Sequence, residues 1–154
     1  MRTLIIKTSS LGDVLHTLPA VSDAAAQHPG MRFDWVVEEA FAEVPGWHAA
    51  VDEVIPVALR RWRHRPFHVL RLGEPQAAMR QIRQREYDQV IDAQGLMKSA
   101  VMTRLARGPR TGLDRHSARE SLAAYACDRR IPVARNQHAV TRVRQLFAAA
   151  LDYP

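Results

Sequence analysis

Short apolar runs alternate with longer amphipathic stretches along this chain. The apolar runs are typical of strands that are buried on both faces of a sheet. They predict strands over residues 3–7, 32–37, 53–57, 89–92 and 111–113. Between them, apolar residues recur at helical spacing. These stretches predict helices over residues 14–27, 38–44, 74–85, 98–106, 118–128 and 137–151. Pro19 lies within the first helix and predicts a kink or a loosened first turn there.

The alternation of strand and helix predicts an α/β fold. Such chains form a Rossmann-like parallel sheet with helices on both faces, and they bind ligands at the carboxyl ends of the strands. The chain has 154 residues, about the size of one domain. Its single cysteine, Cys127, cannot form an internal disulfide, and its apolar neighbours indicate a small core residue. The N-terminus has too few apolar residues for a signal peptide or a membrane span, so we expect a cytoplasmic chain.

The charge is strongly basic. Lys and Arg number 22 against 16 Asp and Glu, which gives a formal charge of +6 and a sequence pI near 10.4. This balance favours a polyanionic partner, which can be nucleic acid, an anionic membrane surface or a phosphorylated ligand. A codon bias toward arginine is the alternative explanation. Only two basic residues are lysines, Lys7 and Lys98, and each follows a predicted strand, where a flexible point charge suits an anionic ligand.

The first candidate site is the turn KTSSLGDVLHTLP at residues 7–19, which joins the first strand to the first helix. It contains Ser9, Ser10, Gly12 and Asp13. It has neither the Gly-x-Gly-x-x-Gly pattern of dinucleotide binders nor the Gly-Lys-Ser/Thr of a P-loop. Two interpretations of Asp13 remain open, a helix N-cap or a catalytic carboxylate.

Two further stretches follow predicted strands. QVIDAQGLMKSA, residues 89–100, is another strand-to-helix turn, which has either a binding role or only the role of an ordinary turn. LRRWRHRPFH, residues 59–68, places Arg60, Arg61, Arg63 and Arg65 around Trp62. We expect a loop here that binds RNA, phosphates or a membrane surface, unless it is only a solvated basic segment.

Several of these stretches together resemble a known family. The segments are KTSSLGDVLHTLPAVSDA, FDWVVEE, HAAVDEVIPVALRRWR, VIDAQGLMKSA, ARESLA and QHAVTRVRQLFA. They are similar to the bacterial lipopolysaccharide heptosyltransferases, and the forms of the first turn and of RRWR resemble the type I enzymes rather than type II. The resemblance runs nearly end to end.

The resemblance implies the N-terminal half of a GT-B glycosyltransferase. Residues 1–154 would be the acceptor-binding Rossmann-like domain, and the C-terminal domain that binds the donor would be absent from this chain. The implied reaction transfers L-glycero-D-manno-heptose from ADP-heptose to the inner Kdo of Kdo2-lipid A and inverts the anomeric centre. It implies neither a metal ion nor a cofactor. Turnover by the 154 residues alone is not expected.

The resemblance also assigns residues. Asp13 matches the family's general base, and the N-terminus of its helix would hold it as a carboxylate. Gly12 would let the backbone approach the sugars, and Ser9 and Ser10 would donate hydrogen bonds. The anionic acceptor would be bound by the basic residues Lys7, Arg60, Arg61, Arg63, Lys98 and Arg119. The implied location is the anionic inner face of the bacterial inner membrane, as a peripheral protein.

Two other classes of protein use similar features. A basic nucleic-acid-binding module would use the same arginines, but the chain has no RNP, KH or zinc-finger pattern and only 6% aromatic residues. A small nucleotide-binding Rossmann protein would need a phosphate loop, which the first turn lacks. We therefore expect an acceptor-binding domain and no nucleic-acid partner.

Overall fold

The computed structural model describes residues 1–154 as six strands and six helices that mostly alternate along the chain. The strands are β1 (Arg2–Ile6), β2 (Arg32–Glu38), β3 (Val51–Val57), β4 (Gln89–Asp92), β5 (Arg110–Leu113) and β6 (Arg129–Ile131). The helices are α1 (Leu11–Gln27), α2 (Leu59–His64), α3 (Pro66–Leu72), α4 (Glu74–Arg83), α5 (Met97–Leu105) and α6 (Ala139–Ala150). Helix α1 runs without interruption across Pro19. None of the helices is both long and apolar enough to cross a bilayer.

The six strands form one parallel sheet in the order β3-β2-β1-β4-β5-β6. All their carboxyl ends therefore lie at the same edge. The strand order changes direction between β1 and β4, which are direct neighbours. Open α/β sheets bind ligands beside such a switch point, because the loops after the two strands diverge and leave a crevice. The predicted Rossmann-like fold is confirmed.

Both faces of the sheet are covered, which explains why its strands β1 and β2 are buried along almost their whole length. Successive side chains of a strand point to opposite faces. Ile5 lies in the core formed with α1 and α6, whereas Leu4 and Ile6 lie in a second core formed with α4 and α5. Phe147 of α6 and Ile82 of α4 are completely buried in these two layers.

The helix predicted over residues 38–44 is wrong. Glu38 is still part of β2, and the chain then makes two 3-10 turns, Glu39–Phe41 and Pro45–Trp47. In the first turn the Ala42 N–H donates to the Glu39 carbonyl, three residues back rather than four. The segment is too short for a stable helix, and Pro45 interrupts its main-chain hydrogen bonds.

The arginine-rich segment is helical, not the loop that the sequence predicted. Leu59 and Trp62 lie three residues apart on α2 and pack against the core beside β3. This apolar pair gives the helix a buried side even though its other residues are polar. Pro66 then begins α3, and Gly73 ends it in the left-handed conformation at φ 74°.

The helix predicted over residues 118–128 is also wrong. The segment Ser121–Ala126 has 3-10 geometry, and the chain then forms β6, which the sequence did not predict. Strand β6 has three residues, two of them exposed arginines, because it lies at the edge of the sheet and pairs only with β5. A strand that is short, charged and half-exposed carries no apolar run to predict it.

The buried thiol of Cys127 should make the fold sensitive to alkali. Burial, with a smaller effect of the Asp92 carboxylate, raises the pKa of this thiol from 9.0 to about 12. Above pH 9 the unfolded chain therefore loses a proton that the folded chain keeps, so stability falls as the pH rises. At pH 10.5 this difference amounts to about 2 kcal/mol.

Between pH 8 and pH 10.5, we expect the Cys127→Ala protein to lose about 2 kcal/mol less stability than wild type does. Urea unfolding at a series of pH values measures this difference. The two proteins are compared by how steeply their free energy of unfolding changes with pH, because the alanine also removes packing atoms at every pH. Parallel stability curves for the two proteins would show that the thiol does not carry this dependence.

Candidate active site

A cleft of about 340 Å³ opens at the carboxyl edge of the sheet, beside the switch point between β1 and β4. Its walls come from the turn after β1, the turn after β4, the loop after β5 and helix α6. The charged side chains that line it are Lys7, Asp13, Arg119, Arg135 and Arg142. The cleft is within the volume range of small-molecule sites.

Asp13 lies in the first turn of α1. The residue that begins the helix is Ser10, and Asp13 is three positions further on, so the interpretation of Asp13 as the N-cap is corrected. Its Oδ2 accepts hydrogen bonds from the Ser10 main-chain N–H at 3.1 Å and from the Ser10 hydroxyl at 3.3 Å. The carboxylate thus reaches back to the N–H of the N-cap residue, as the third helical residue of a capping box does, with aspartate in place of glutamate. The cap fixes the carboxyl group at the mouth of the cleft.

Lys7 extends β1 into the floor of the cleft. Its side chain is 8% exposed, and Nζ donates a hydrogen bond to the Ala93 carbonyl at 2.9 Å. Burial lowers the pKa of Lys7, and the carboxylates of Asp13 and Asp92 oppose that effect. A buried ammonium with two unused donors is costly to fold and available to an anion that enters the cleft.

The turns after β1 and β4 are fastened to each other by Gln94. Its Oε1 accepts hydrogen bonds from the main-chain N–H groups of Thr8 at 3.1 Å and Ser9 at 3.4 Å. Gln94 is in turn held by Asp92, which accepts from the Gln94 and Gly95 N–H groups at 2.9 and 3.0 Å. Burial raises the pKa of Asp92, although these hydrogen bonds favour its charged form. The segment that leads into Asp13 is thus held by the turn after β4, the strand that pairs with β1.

Two arginines of the cleft are oriented by main-chain carbonyls rather than by carboxylates. Arg135 donates to the carbonyls of His116 at 2.8 Å and Ala118 at 2.5 Å, and Arg142 donates to Ser117 at 2.7 Å. The third, Arg119, is exposed and has no ion-pair partner. All three keep their positive charge available to a ligand.

The cleft therefore combines four cations with one carboxylate. Asp13 is the only acidic side chain among its lining residues. Such a site attracts anions and offers the Asp13 carboxylate, alongside the imidazole of His16, as a group that can accept a proton. Nowhere does the chain bring together three or more His, Cys, Asp or Glu side chains in a way that could hold a metal ion.

The structure brings together only some of the residues assigned from the sequence. Lys7, Asp13 and Arg119 line the cleft. Ser9, Ser10 and Gly12 belong to the turn beside it, and a Cβ added to Gly12 would meet no atom within 4 Å. Lys98 is exposed in the first turn of α5 and does not line the cleft.

The arginines of α2 lie beyond the end of β3, two strands away from β1 at the same sheet edge. They do not line the cleft, and they differ in whether a carboxylate pairs with them. Arg61 pairs with Glu39 at 3.1 Å and with Glu74 at 2.6 Å, and these carboxylates raise its pKa. Arg60 and Arg63 are exposed and form no ion pair. Arg61 thus fastens α2 to α4, and the other two remain available.

Sequence reasoning missed Arg135, Arg142 and the fastening role of Gln94. The arginines lie on α6 and the segment before it, far along the chain from Asp13. Arg142 lies in the segment QHAVTRVRQLFA that carries the resemblance, but otherwise their signal was the excess of arginine, which does not separate these positions from the others. Gln94 did stand in a recognised strand-to-helix turn, but its partners Thr8 and Ser9 are 86 and 85 residues away.

The parallel sheet and the basic cleft at its switch point define a Rossmann-like domain with a site for an anionic ligand. Residues 76–154 match the model of glycosyltransferase family 9 (heptosyltransferase), and the chain belongs to that family.

Two relatives make the likeness specific. The lipopolysaccharide heptosyltransferase 1 of Pseudomonas aeruginosa is 60% identical over 100% of this chain and 44% of its own length. The structure of E. coli heptosyltransferase WaaC with ADP-2-deoxy-2-fluoro heptose superimposes with a TM-score of 0.97 at 55% identity, over 100% of this chain and 49% of that one. The resemblance to the type I enzymes is confirmed.

A more distant structure shares the fold. E. coli ADP-heptose lps heptosyltransferase II gives a TM-score of 0.72 at 20% identity, over 96% of this chain and 40% of that one. This chain thus spans about half the length of the relatives that it matches.

Proposed function

We propose that the chain is the acceptor-binding half of an inverting heptosyltransferase. The complete enzyme would transfer L-glycero-D-manno-heptose from ADP-heptose to the inner Kdo of Kdo2-lipid A in the synthesis of the lipopolysaccharide inner core. The observation that carries the proposal is the single carboxylate, Asp13, among four cations at the switch point of the sheet. The family and the names of the relatives support the reaction class.

Asp13 would act as the general base. The acceptor hydroxyl loses its proton to the Asp13 carboxylate while its oxygen forms a bond to the anomeric carbon of the heptose. The bond from that carbon to ADP breaks on the opposite face, and its electron pair leaves with the diphosphate. Attack from behind the leaving group inverts the anomeric centre. The capping bonds from Ser10 would hold the carboxylate in one orientation for this step.

The cations would bind the acceptor. Kdo carries a carboxylate and lipid A carries phosphates, which suit Lys7 and Arg119 within the cleft and Arg60 and Arg63 outside it. Gly12 leaves open space beside the turn in which a sugar could approach the main chain. Ser9, Ser10 and Lys98 would add hydrogen bonds or charge at the rim.

The donor would be held by a second domain. The proposal follows from the chain's coverage of about half of each relative, and from the absence of a glycine-rich phosphate loop in the first turn. The acceptor's lipid anchor and the basic surface of this chain further support a peripheral position at the cytoplasmic face of the inner membrane.

A fused enzyme would test the function. Joining this chain to the C-terminal remainder of the P. aeruginosa relative should give a protein that transfers heptose from ADP-heptose to Kdo2-lipid A. The relative's own enzyme is the positive control. A fused protein that folds and leaves Kdo2-lipid A unmodified, while the control modifies it, would contradict the proposal.

The free arginines of α2 should affect acceptor binding more than the chemical step. Arg60→Ala and Arg63→Ala should each raise the acceptor KM about 5- to 50-fold at low salt with little change in kcat, since each removes a charge-assisted contact worth ~1–2.5 kcal/mol. Arg61→Ala should instead loosen α2, because Arg61 is already paired with two glutamates.

The measurement is steady-state kinetics of the fused enzyme at low and moderate salt, with intact and dephosphorylated acceptors. The effects should shrink with salt and with removal of the lipid A phosphates. Equal losses of affinity for both acceptors would show that these arginines do not contact phosphate.

A further inference from the structure

Helix α3 presents an apolar face that is largely exposed in this chain. Phe67 is 83% exposed, the largest value for any large apolar side chain, and Leu70, three residues later, is 51% exposed. Between them, Val69 is 2% exposed and marks the inner side of the helix. Residues 67, 70 and 71 have the i, i+3, i+4 spacing of one helix face, so Phe67, Leu70 and Arg71 share the side opposite Val69.

This apolar face lies in a strongly basic surrounding. Residues 59–72 contain five arginines and no acidic residue. Only Arg61 has carboxylate partners, and Arg65 and Arg71 are exposed on either side of Phe67 without one. A second exposed apolar patch, around Val101 and Leu122, includes the cation Arg104, but one carboxylate, Glu120, also lies there and accepts a hydrogen bond from the Met97 N–H. Helices α2 and α3 thus combine exposed apolar side chains with a positive charge that carboxylates compensate only at Arg61.

That combination suits a bilayer surface with anionic headgroups. Interfacial helices insert large apolar side chains at the boundary of headgroups and acyl chains, while Arg and Lys beside them contact lipid phosphates. A single-stranded nucleic acid would instead need further aromatic rings on which to stack its bases, and Leu70 offers none. A lipid surface accounts for both kinds of side chain.

We propose that the outer face of α3 docks this domain on an anionic membrane, with Phe67 and Leu70 entering the headgroup boundary and Arg71 contacting lipid phosphates. The inference rests on the proposed function in one respect. Helix α2 begins two residues after β3 ends, at the same sheet edge as the cleft, so docking there would bring the cleft toward an acceptor anchored in the membrane.

Vesicle flotation with the full 154-residue chain tests the docking. The vesicles contain phosphatidylethanolamine with phosphatidylglycerol and no Kdo or lipid A, and phosphatidylcholine vesicles provide the neutral comparison. Wild type should float with the anionic vesicles only. Phe67→Ser/Leu70→Ser should bind at least about tenfold more weakly, and Arg71→Gln about fivefold more weakly. The matched control, Val101→Ser/Leu122→Ser, removes two apolar side chains of similar exposure elsewhere and should float as wild type does.

A fluorescent label would report insertion directly. Leu70→Cys can be labelled with a polarity-sensitive fluorophore, because the native Cys127 is 3% exposed and will not react in the folded chain. Emission should shift to the blue on anionic vesicles, and the same label at Leu122→Cys should show no shift.

Several results would overturn the proposal. The docking is wrong if wild type does not float with the anionic vesicles, if Phe67→Ser/Leu70→Ser floats as wild type does, or if the control pair loses as much binding as that variant. It is also wrong if the labelled protein floats with no shift in emission at position 70. Binding of single-stranded RNA that is lost with Phe67→Ser would assign the face to nucleic acid instead. The heptosyl transfer assay with detergent-dispersed acceptor is independent of these vesicles, so failure of docking and failure of the proposed function give different results.

Discussion

Replacing Asp13 by alanine in the fused enzyme is expected to lower kcat about 10²- to 10⁴-fold, the usual contribution of a general base. The stability loss should be only about 1 kcal/mol, because the carboxylate also accepts the capping bonds from Ser10. The two effects differ by orders of magnitude. A joint measurement of turnover and unfolding therefore separates catalysis from capping.

Two further variants sharpen this test. Asp13→Asn keeps the shape and one oxygen acceptor but cannot take the proton, so it should be nearly as stable as wild type and nearly as inactive as the alanine variant. Asp23→Asn removes a carboxylate from the same helix, where it pairs with Arg144, and should leave kcat unchanged. Near-normal turnover of Asp13→Ala with a lowered Tm would reduce Asp13 to a capping residue.

Replacing Lys7 by methionine is expected to raise the acceptor KM about 10- to 100-fold, the effect of losing a partly desolvated charge-assisted contact. Methionine fills a similar volume, so the fold should persist. The expected loss is in binding, because Lys7 lies in the cleft beside Asp13 and its Nζ has donors left after the bond to Ala93.

The same substitution should change how stability depends on pH. Burial lowers the pKa of Lys7, so between that lowered value and 10.5 the unfolded chain binds more protons than the folded chain. This group therefore makes wild type gain stability as the pH rises through that window, and Lys7→Met should lack the gain. Urea unfolding of both proteins from pH 7 to pH 10 measures the difference. A steeper rise in the variant, or an unchanged KM, would contradict this role of Lys7.

Most strands of the sheet could be predicted from the sequence because they are buried on both faces. Strand β4 has the predicted bounds, 89–92, since all four of its residues are buried around the apolar pair Val90 and Ile91. Strand β6 was missed because it lies at the edge and begins with two exposed arginines. Helix α2 was missed because its apolar face consists of only Leu59 and Trp62 within a run of charges. Local pattern predicts elements that are stabilised by burial along their whole length.

The residues of the candidate site were also predictable only in part. Lys7 and Asp13 follow directly from a strand, a turn and a helix, so sequence order alone places them at the switch point. Arg142 reaches the cleft only because α6 packs on α1, which is a long-range contact. The pairing of Arg61 with Glu39 and Glu74 likewise depends on three separate elements meeting. No pattern within the sequence distinguishes such a paired arginine from a free one.

Calorimetric titration of this 154-residue chain tests the central claim most directly. One ligand is a water-soluble Kdo saccharide that retains the lipid A phosphates, and the other is ADP-heptose. The account predicts binding of the phosphorylated saccharide, weakened in Lys7→Met, and no measurable heat with ADP-heptose. Micromolar binding of ADP-heptose to this chain, or no binding of the phosphorylated Kdo saccharide, would contradict it.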